Sequence, residues 1–269
     1  MLLLLITTTA FGATYTVDPS GSGDFTSIQS AVNGAADGDT INVGAGTYAE
    51  SVDLGGKNLT ITSTGGSSTT SIQPPLGQVG VTWDQGEAGS FSGFSISPSS
   101  ARALVITNSS PSVSDIAISG GGSFGTIDGG AIYITGGSPS LEDIDISGSQ
   151  GRRGGGMYAN GQASLDLQNI TIDSTSATYG GGIYFDDVTV TGDGIEITNV
   201  QVDRSGGGLY IDEADVTLET LTVTDALGAD SWGVGVYIRD RSVVSIDGGE
   251  ISGNIAANYA NGYQGGGIY

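Results

Sequence analysis

The chain contains no cysteine and no histidine. Disulfides, thiolate nucleophiles, zinc sites and every imidazole-dependent mechanism are therefore excluded. Basic residues are scarce as well. Lys57 is the single lysine, and with the arginines the basic set reaches seven against 29 acidic residues, a formal charge of −22. Such a surface repels nucleic acid and anionic membranes, and it disfavours a polyanionic glycan unless a cation lies between the two. Long apolar runs are missing too. Leu2 to Ile6 is the one compact run at the start, far too short for a permanent membrane span. Followed by the small residues of Ala10-Phe11-Gly12, it makes residues 1–12 an expected secretory signal peptide, with a buried first strand as the alternative. Residues 13–269 are then expected to form one domain, secreted or held at a bacterial cell surface.

Glycine is what the chain has in quantity, 48 residues of it, placed at fixed points between apolar segments. Gly129-Gly130-Ala131-Ile132-Tyr133 returns as Gly154-Gly155-Gly156-Met157-Tyr158, Gly180-Gly181-Gly182-Ile183-Tyr184 and Gly206-Gly207-Gly208-Leu209-Tyr210. It returns again as Gly233-Val234-Gly235-Val236-Tyr237 and Gly265-Gly266-Gly267-Ile268-Tyr269. The tyrosines are 25, 26, 26, 27 and 32 residues apart. A period of that size marks stacked repeats.

Between the tyrosines, Val113-Ser114-Asp115-Ile116-Ala117-Ile118 aligns with Leu141 to Ile146 and with Leu167 to Ile172. The alignment extends to Ile197–Val202 and Leu218–Val223. Alternating apolar and polar residues predict short half-buried strands. The Asp or Asn at the centre suits a left-handed corner. Three short strands in ~25 residues can bury their apolar faces only by winding, so the expected fold is all-β, a parallel β-helix of about eight coils stacked about 4.8 Å apart. Thr26-Ser27-Ile28-Gln29 fits a capping box, and Phe25, Ile28, Val32 and Ala35 form a stripe, predicting an N-terminal capping helix of about ten residues. Residues 13–64 are expected to form the cap and first coil, 65–128 irregular coils with protruding loops, and 129–269 the regular coils.

Asp18-Pro19-Ser20-Gly21-Ser22-Gly23-Asp24-Phe25-Thr26-Ser27-Ile28-Gln29, followed by Ala45-Gly46-Thr47-Tyr48-Ala49-Glu50, resembles the amino-terminal part of pectin methylesterases. It equally resembles the wider pectin-lyase-like superfamily of right-handed parallel β-helices. The resemblance implies the right hand of the helix, which the period does not fix. The later coils, best seen in Ile251-Ser252-Gly253-Asn254-Ile255-Ala256-Ala257 and the glycine turn after it, resemble repeats of polymorphic outer-membrane proteins and similar surface adhesins. The usual Phe before the Asn is missing. The chain stops inside a repeat at Tyr269 without a cap, so a fragment of a longer surface protein is expected.

The catalytic motifs of pectin methylesterases, Gln-Asp-Thr-Leu, Asp-Phe-Ile-Phe-Gly and Gly-Arg-Pro-Trp, do not occur. Polygalacturonases need a histidine, and the few basic residues match no pectate-lyase motif. Two sets of residues remain. Tyr133, Tyr158, Tyr184, Tyr210 and Tyr237 are expected to face outward in single file, either as structural stacking or as a platform for sugar rings. Asp186-Asp187, Asp212-Glu213 and Asp240 after Arg239 are expected to fall in one column. That column is a solvated acidic turn, a Ca²⁺ site with oxygen ligands, or an acid and base pair for glycoside cleavage. The leading expectation is an adhesin-like scaffold, non-catalytic, binding a polysaccharide or a ligand on a host or neighbouring cell, with no cofactor beyond possible Ca²⁺. The alternative is a polysaccharide-active lyase, esterase or hydrolase.

Overall fold

The computed structural model describes residues 12–229, 232–257 and 266–269. The expected signal segment lies outside these apart from Gly12, and so does Gly265. The chain winds as an all-β parallel β-helix of about nine turns. Among the described residues the strands form sheets of twelve, eight and five, with every strand pair parallel. The first sheet carries the long strands, among them Ser140–Ser147, Ser164–Asp173, Thr189–Thr198 and Asp215–Thr224. The second carries the tyrosine strands Ile132–Thr135, Met157–Asn160, Ile183–Asp186, Leu209–Asp212 and Val236–Arg239. The third runs through Gln150–Arg153, Ser176–Tyr179 and Gln201–Ser205.

Alternation makes the inside of the coil. Leu165, Leu167, Ile170 and Ile172 on one long strand are buried, and the polar residues between them point out. The strand turns a corner at Asn169, which is left-handed with φ 55°, as are Asp115 and Asp143 below it. Asn169 Nδ2 donates to Asp143 Oδ1 at 3.0 Å, tying one corner to the next. One alignment needs correcting. Ile172 pairs with Ile197, and Leu167 pairs with Gly192. The segment equivalent to Leu167–Ile172 is therefore Gly192–Ile197, not Ile197–Val202. Gly194, at φ 67°, takes the left-handed corner that Asn supplies elsewhere, so the usual letters are absent from that coil.

Each glycine of the Gly-Gly-Gly turn has its own reason. The first, Gly180, is left-handed at φ 60°. A Cβ on Gly181 would strike the carbonyl of Gly207 in the next coil, and one on Gly182 would strike the Ile197 side chain. The turn thus brings the end of a third-sheet strand hard against the start of a second-sheet strand, making a sharp corner.

The N-terminal helix is shorter than expected, Ile28–Gly34, and begins one residue later. Ser27 is the cap, and the reach-back group is not Gln29 but Glu50, whose carboxylate accepts from Ile28 N at 2.8 Å and Gln29 N at 2.9 Å. Gln29 is engaged instead with the Asp53 backbone. Lys57 Nζ closes the other end by donating to the carbonyls of Val32 and Ala35. The coils over 65–128 are uneven in length, with Val52 paired to Val81, Val81 to Leu104 and Leu104 to Ile132, yet they stay in register. Trp83 is 1% exposed and pairs in register with Ile106, with Phe91 edge-on beneath it. Bulky rings fill this section where branched aliphatics fill the later coils, which hides the repeat.

Candidate functional site: the corner between the second and third sheets

The five tyrosines stand in register, Tyr133 on Tyr158, Tyr184, Tyr210 and Tyr237. Successive ring centroids are 5.7, 5.5, 4.2 and 4.9 Å apart. They do leave the main core, as alternation requires. An open platform does not result. Tyr158, Tyr184 and Tyr210 are 1%, 5% and 4% exposed and form a second, separate core outside the sheet. The reason is the corner, which folds neighbouring side chains over the rings. The Arg153 guanidinium lies 4.4 Å from the centre of the Tyr158 ring and 5.7 Å from that of Tyr184. Arg102 covers Tyr133 at 4.6 Å, and Tyr179 packs edge-on against Tyr210. The three central rings are sealed, so they present no face for a sugar to stack on.

The cover is built from the residue just before each glycine turn. Arg153, Tyr179 and Ser205 are in register on the third sheet, with Trp232 bridged to Ser205. Asp128 holds the same place one coil lower, its glycine neighbour bonded to the Arg153 carbonyl. Sequence reading passed over this row, although Asp128-Gly129, Arg153-Gly154, Tyr179-Gly180 and Ser205-Gly206 recur with the same period as the tyrosines. A register irregularity after Ala177 lets the Gln201–Ser205 strand carry an extra residue. Arg204 sits in that bulge, 5.9 Å from the centre of the Tyr179 ring.

Asp128 is the electrostatic hub. Its carboxylate accepts from Arg152 at 2.6 and 2.9 Å and from Arg153 at 2.8 and 3.2 Å, while Arg102 Nε donates to its carbonyl. Burial works against the carboxylate's charge, but the hydrogen bonds and charge of the two arginines win and bring its pKa down to about 2. Burial likewise opposes the Arg153 charge, and the Asp128 hydrogen bond together with nearby acidic groups holds it firmly protonated. Burial lowers the Arg102 pKa, and Tyr133 and Asp128 offset this in part. Arg152, Arg153 and Tyr179 line an open depression of about 400 Å³.

The acidic residues separate into two columns. Asp186 and Asp212 are in register on the second sheet, and the next place is taken by Arg239. Asp187, Glu213 and Asp240 are left-handed corner residues that turn away from it, with φ 54°, 50° and 38°. Among the described residues no three carboxylates converge to hold a metal ion. Asp186, Asp212, Glu213 and Asp240 are each met by an arginine or a phenol. Asp186 Oδ2 accepts from Tyr158 at 2.7 Å and Arg153 at 3.1 Å. Asp240 pairs with Arg239 at 2.6 Å and Glu213 with Arg241 at 2.8 Å. The expected single column therefore resolves into two, with four of its five members already paired. Asp212 stands apart. Tyr184 donates to its Oδ2 at 3.2 Å, but its buried Oδ1 accepts no hydrogen bond and has Arg239 Nε at 3.4 Å. Burial raises its pKa, partly offset by Arg239.

No family model matches the chain, and no curated protein matches it in sequence. In structure the chain is similar to pectin methylesterase from carrot, with a TM-score of 0.56 and 14% identity over 97% of this chain and 89% of the other. At that identity the likeness shows the fold alone, a parallel β-helix. The resemblance of the later coils to adhesin repeats is not borne out by these comparisons.

Proposed function

We propose that the protein is a non-catalytic β-helix scaffold, secreted or displayed at a cell surface, that binds an acidic polysaccharide across the corner between the second and third sheets. The placement of the arginines carries the reading. In a chain of net charge −22, Arg102, Arg153, Arg204 and Arg239 all touch the tyrosine file or Tyr179, and Arg152 shares Asp128 with Arg153. Arg152 and Arg153 line the depression, and with Arg102 they outnumber Asp128 and Asp186 by three to two, a small positive excess on an acidic rod. Guanidinium forks fit carboxylates, and the edges of Tyr133 and Tyr179 are half-exposed beside them. The arginines thus supply the bridging cation that the overall charge demands. The likeness in fold adds an analogy, no more.

Affinity electrophoresis of the whole chain in pectin, alginate and a neutral glucan tests the proposal. Retardation in the acidic polymers, lost in the Arg152→Ala/Arg153→Ala double variant, is expected. Equal mobility in all three gels, or retardation untouched by the double variant, overturns it. A second reading has its own observation: Asp212, with its raised pKa and unbonded Oδ1, lies next to Asp186 in register, an arrangement suited to acid and base work on a glycan. Release of reducing or unsaturated ends from any of the polymers would favour that enzyme.

A further inference from the structure

The second-sheet row that carries Asp186 and Asp212 passes through Asn160 one coil lower, next after the Ala159–Phe185 pair, and through Thr135 below that. Asparagine has no structural task there. Its Oδ1 is buried and accepts no hydrogen bond, and among the described residues its amide nitrogen donates none. Burying a carbonyl oxygen without a donor is unfavourable. The carboxamide is therefore held by nothing polar and gains by turning out of its place.

Gly161 follows it in an exposed turn, at φ 71°. In the coils on either side, the N–H at this position is bonded to the coil above. Gly136 N donates to the Asn160 carbonyl and Asp187 N to that of Asp212, each at 3.0 Å. Gly161 N has no such partner, nor any other acceptor among the described residues. The ladder skips one rung. Nor can the glycine be exchanged freely, because its φ is left-handed and a Cβ would meet Thr135 Oγ1 at 2.7 Å. The fold thus requires the glycine and leaves its nitrogen free, directly after a side-chain amide that nothing holds. Asn33-Gly34 is the internal contrast. Asn33 Oδ1 accepts from Gln29 Nε2 at 3.0 Å, and Gly34 belongs to the helix Ile28–Gly34, whose ladder occupies its N–H.

We propose that Asn160 is a self-modifying site, which loses its amide as the folded protein ages and leaves a carboxylate in the row of Asp186 and Asp212. Gly161 N attacks Asn160 Cγ and gives up its proton to water. The new C–N bond closes a succinimide ring, and Nδ2 takes up a proton and leaves as ammonia. Water then opens the ring. Breaking the new Cγ–N bond restores the chain with an aspartate at this position. Breaking the original main-chain bond gives isoaspartate, in which the chain runs through the side-chain carbon. Either way one water is consumed and one ammonia released, with no oxidant and no enzyme. The aspartate product suits the site, because the fold already places Asp at this point in the next two coils.

Ageing the whole folded chain near neutral pH in ¹⁸O-labelled water, with mass spectrometry peptide by peptide, tests this. Separate peptides also set aside the third such pair, Asn261-Gly262, which lies outside the described residues. The peptide holding Asn160 should exchange its amide for an acid with one heavy oxygen, at a rate an order of magnitude or more above that of the Asn33 peptide. In urea the two should react at similar rates, since the contrast between them is made by the fold. Asn160→Thr, which installs the residue of the coil below, should fold normally and lose one charge of the acidic shift that ageing produces on isoelectric focusing. An Asn160 peptide that stays unchanged in the folded chain while it reacts in urea overturns the proposal. Equal rates for Asn33 and Asn160 in the folded chain do the same.

Discussion

Asp128→Asn isolates the hub of the corner. The side chain keeps its size and loses its charge, so Arg152 and Arg153 remain beside a neutral amide that cannot serve both. The Asp128 carboxyl is held at about 2 in the folded chain, against an ordinary aspartate value of ~3.9. At roughly 1.4 kcal/mol per unit, the pairing is worth about 2–3 kcal/mol once the group is ionised in both states. Most of that belongs to Arg153, whose side chain is 29% exposed, and less to Arg152 at 49%, where solvent screens the pair. The sign is fixed by the direction of the shift. A carboxyl with a depressed folded pKa contributes its full stability above about pH 4–5 and loses it as pH falls through about 2. Thermal melts of parent and variant should therefore differ by roughly 5–10 °C near neutral pH, and the gap should close as the solution is taken down towards about pH 2. Equal melting temperatures at neutral pH would sink the assignment of Asp128 as hub. A gap that stays constant into acid would show that the loss comes from packing and not from charge.

Two further outcomes follow from buried groups elsewhere. Glu87, 1% exposed, accepts from Gly56 N, Gln85 N and Ser109 Oγ, and these bonds hold its pKa low although burial opposes them. Glu87→Ala should cost about 2 kcal/mol in a urea melt by stranding the buried Ser109 hydroxyl and two part-buried backbone N–H groups. Gly181→Ala would push a methyl group into the Gly207 carbonyl, and should destabilise by about 3 kcal/mol or more. The same change at the exposed Gly248, which is outside the left-handed region and has its nearest neighbour at 3.4 Å, gives the comparison.

The repeat was readable because a β-helix is nearly one-dimensional. Residues one period apart become neighbours, so the tyrosine spacing announces the file, and alternation places it outside the main core. Where letters changed but backbone roles did not, reading failed. Gly194 took over a corner from Asn, and Trp83 and Phe91 took over core positions from aliphatics, so coils of the same shape looked different. The helix cap failed for another reason, since Glu50 comes to Ile28 from a segment 22 residues away.

The chain by itself determined the winding, the three sheets and the single file of rings, because each depends on local alternation and a fixed period. Only the tertiary structure decided that the file is sealed. Burial of Tyr158, Tyr184 and Tyr210 depends on how sharply the glycine turn folds the row of Asp128, Arg153 and Tyr179 over them. That angle is set by contacts between coils, which no single repeat contains.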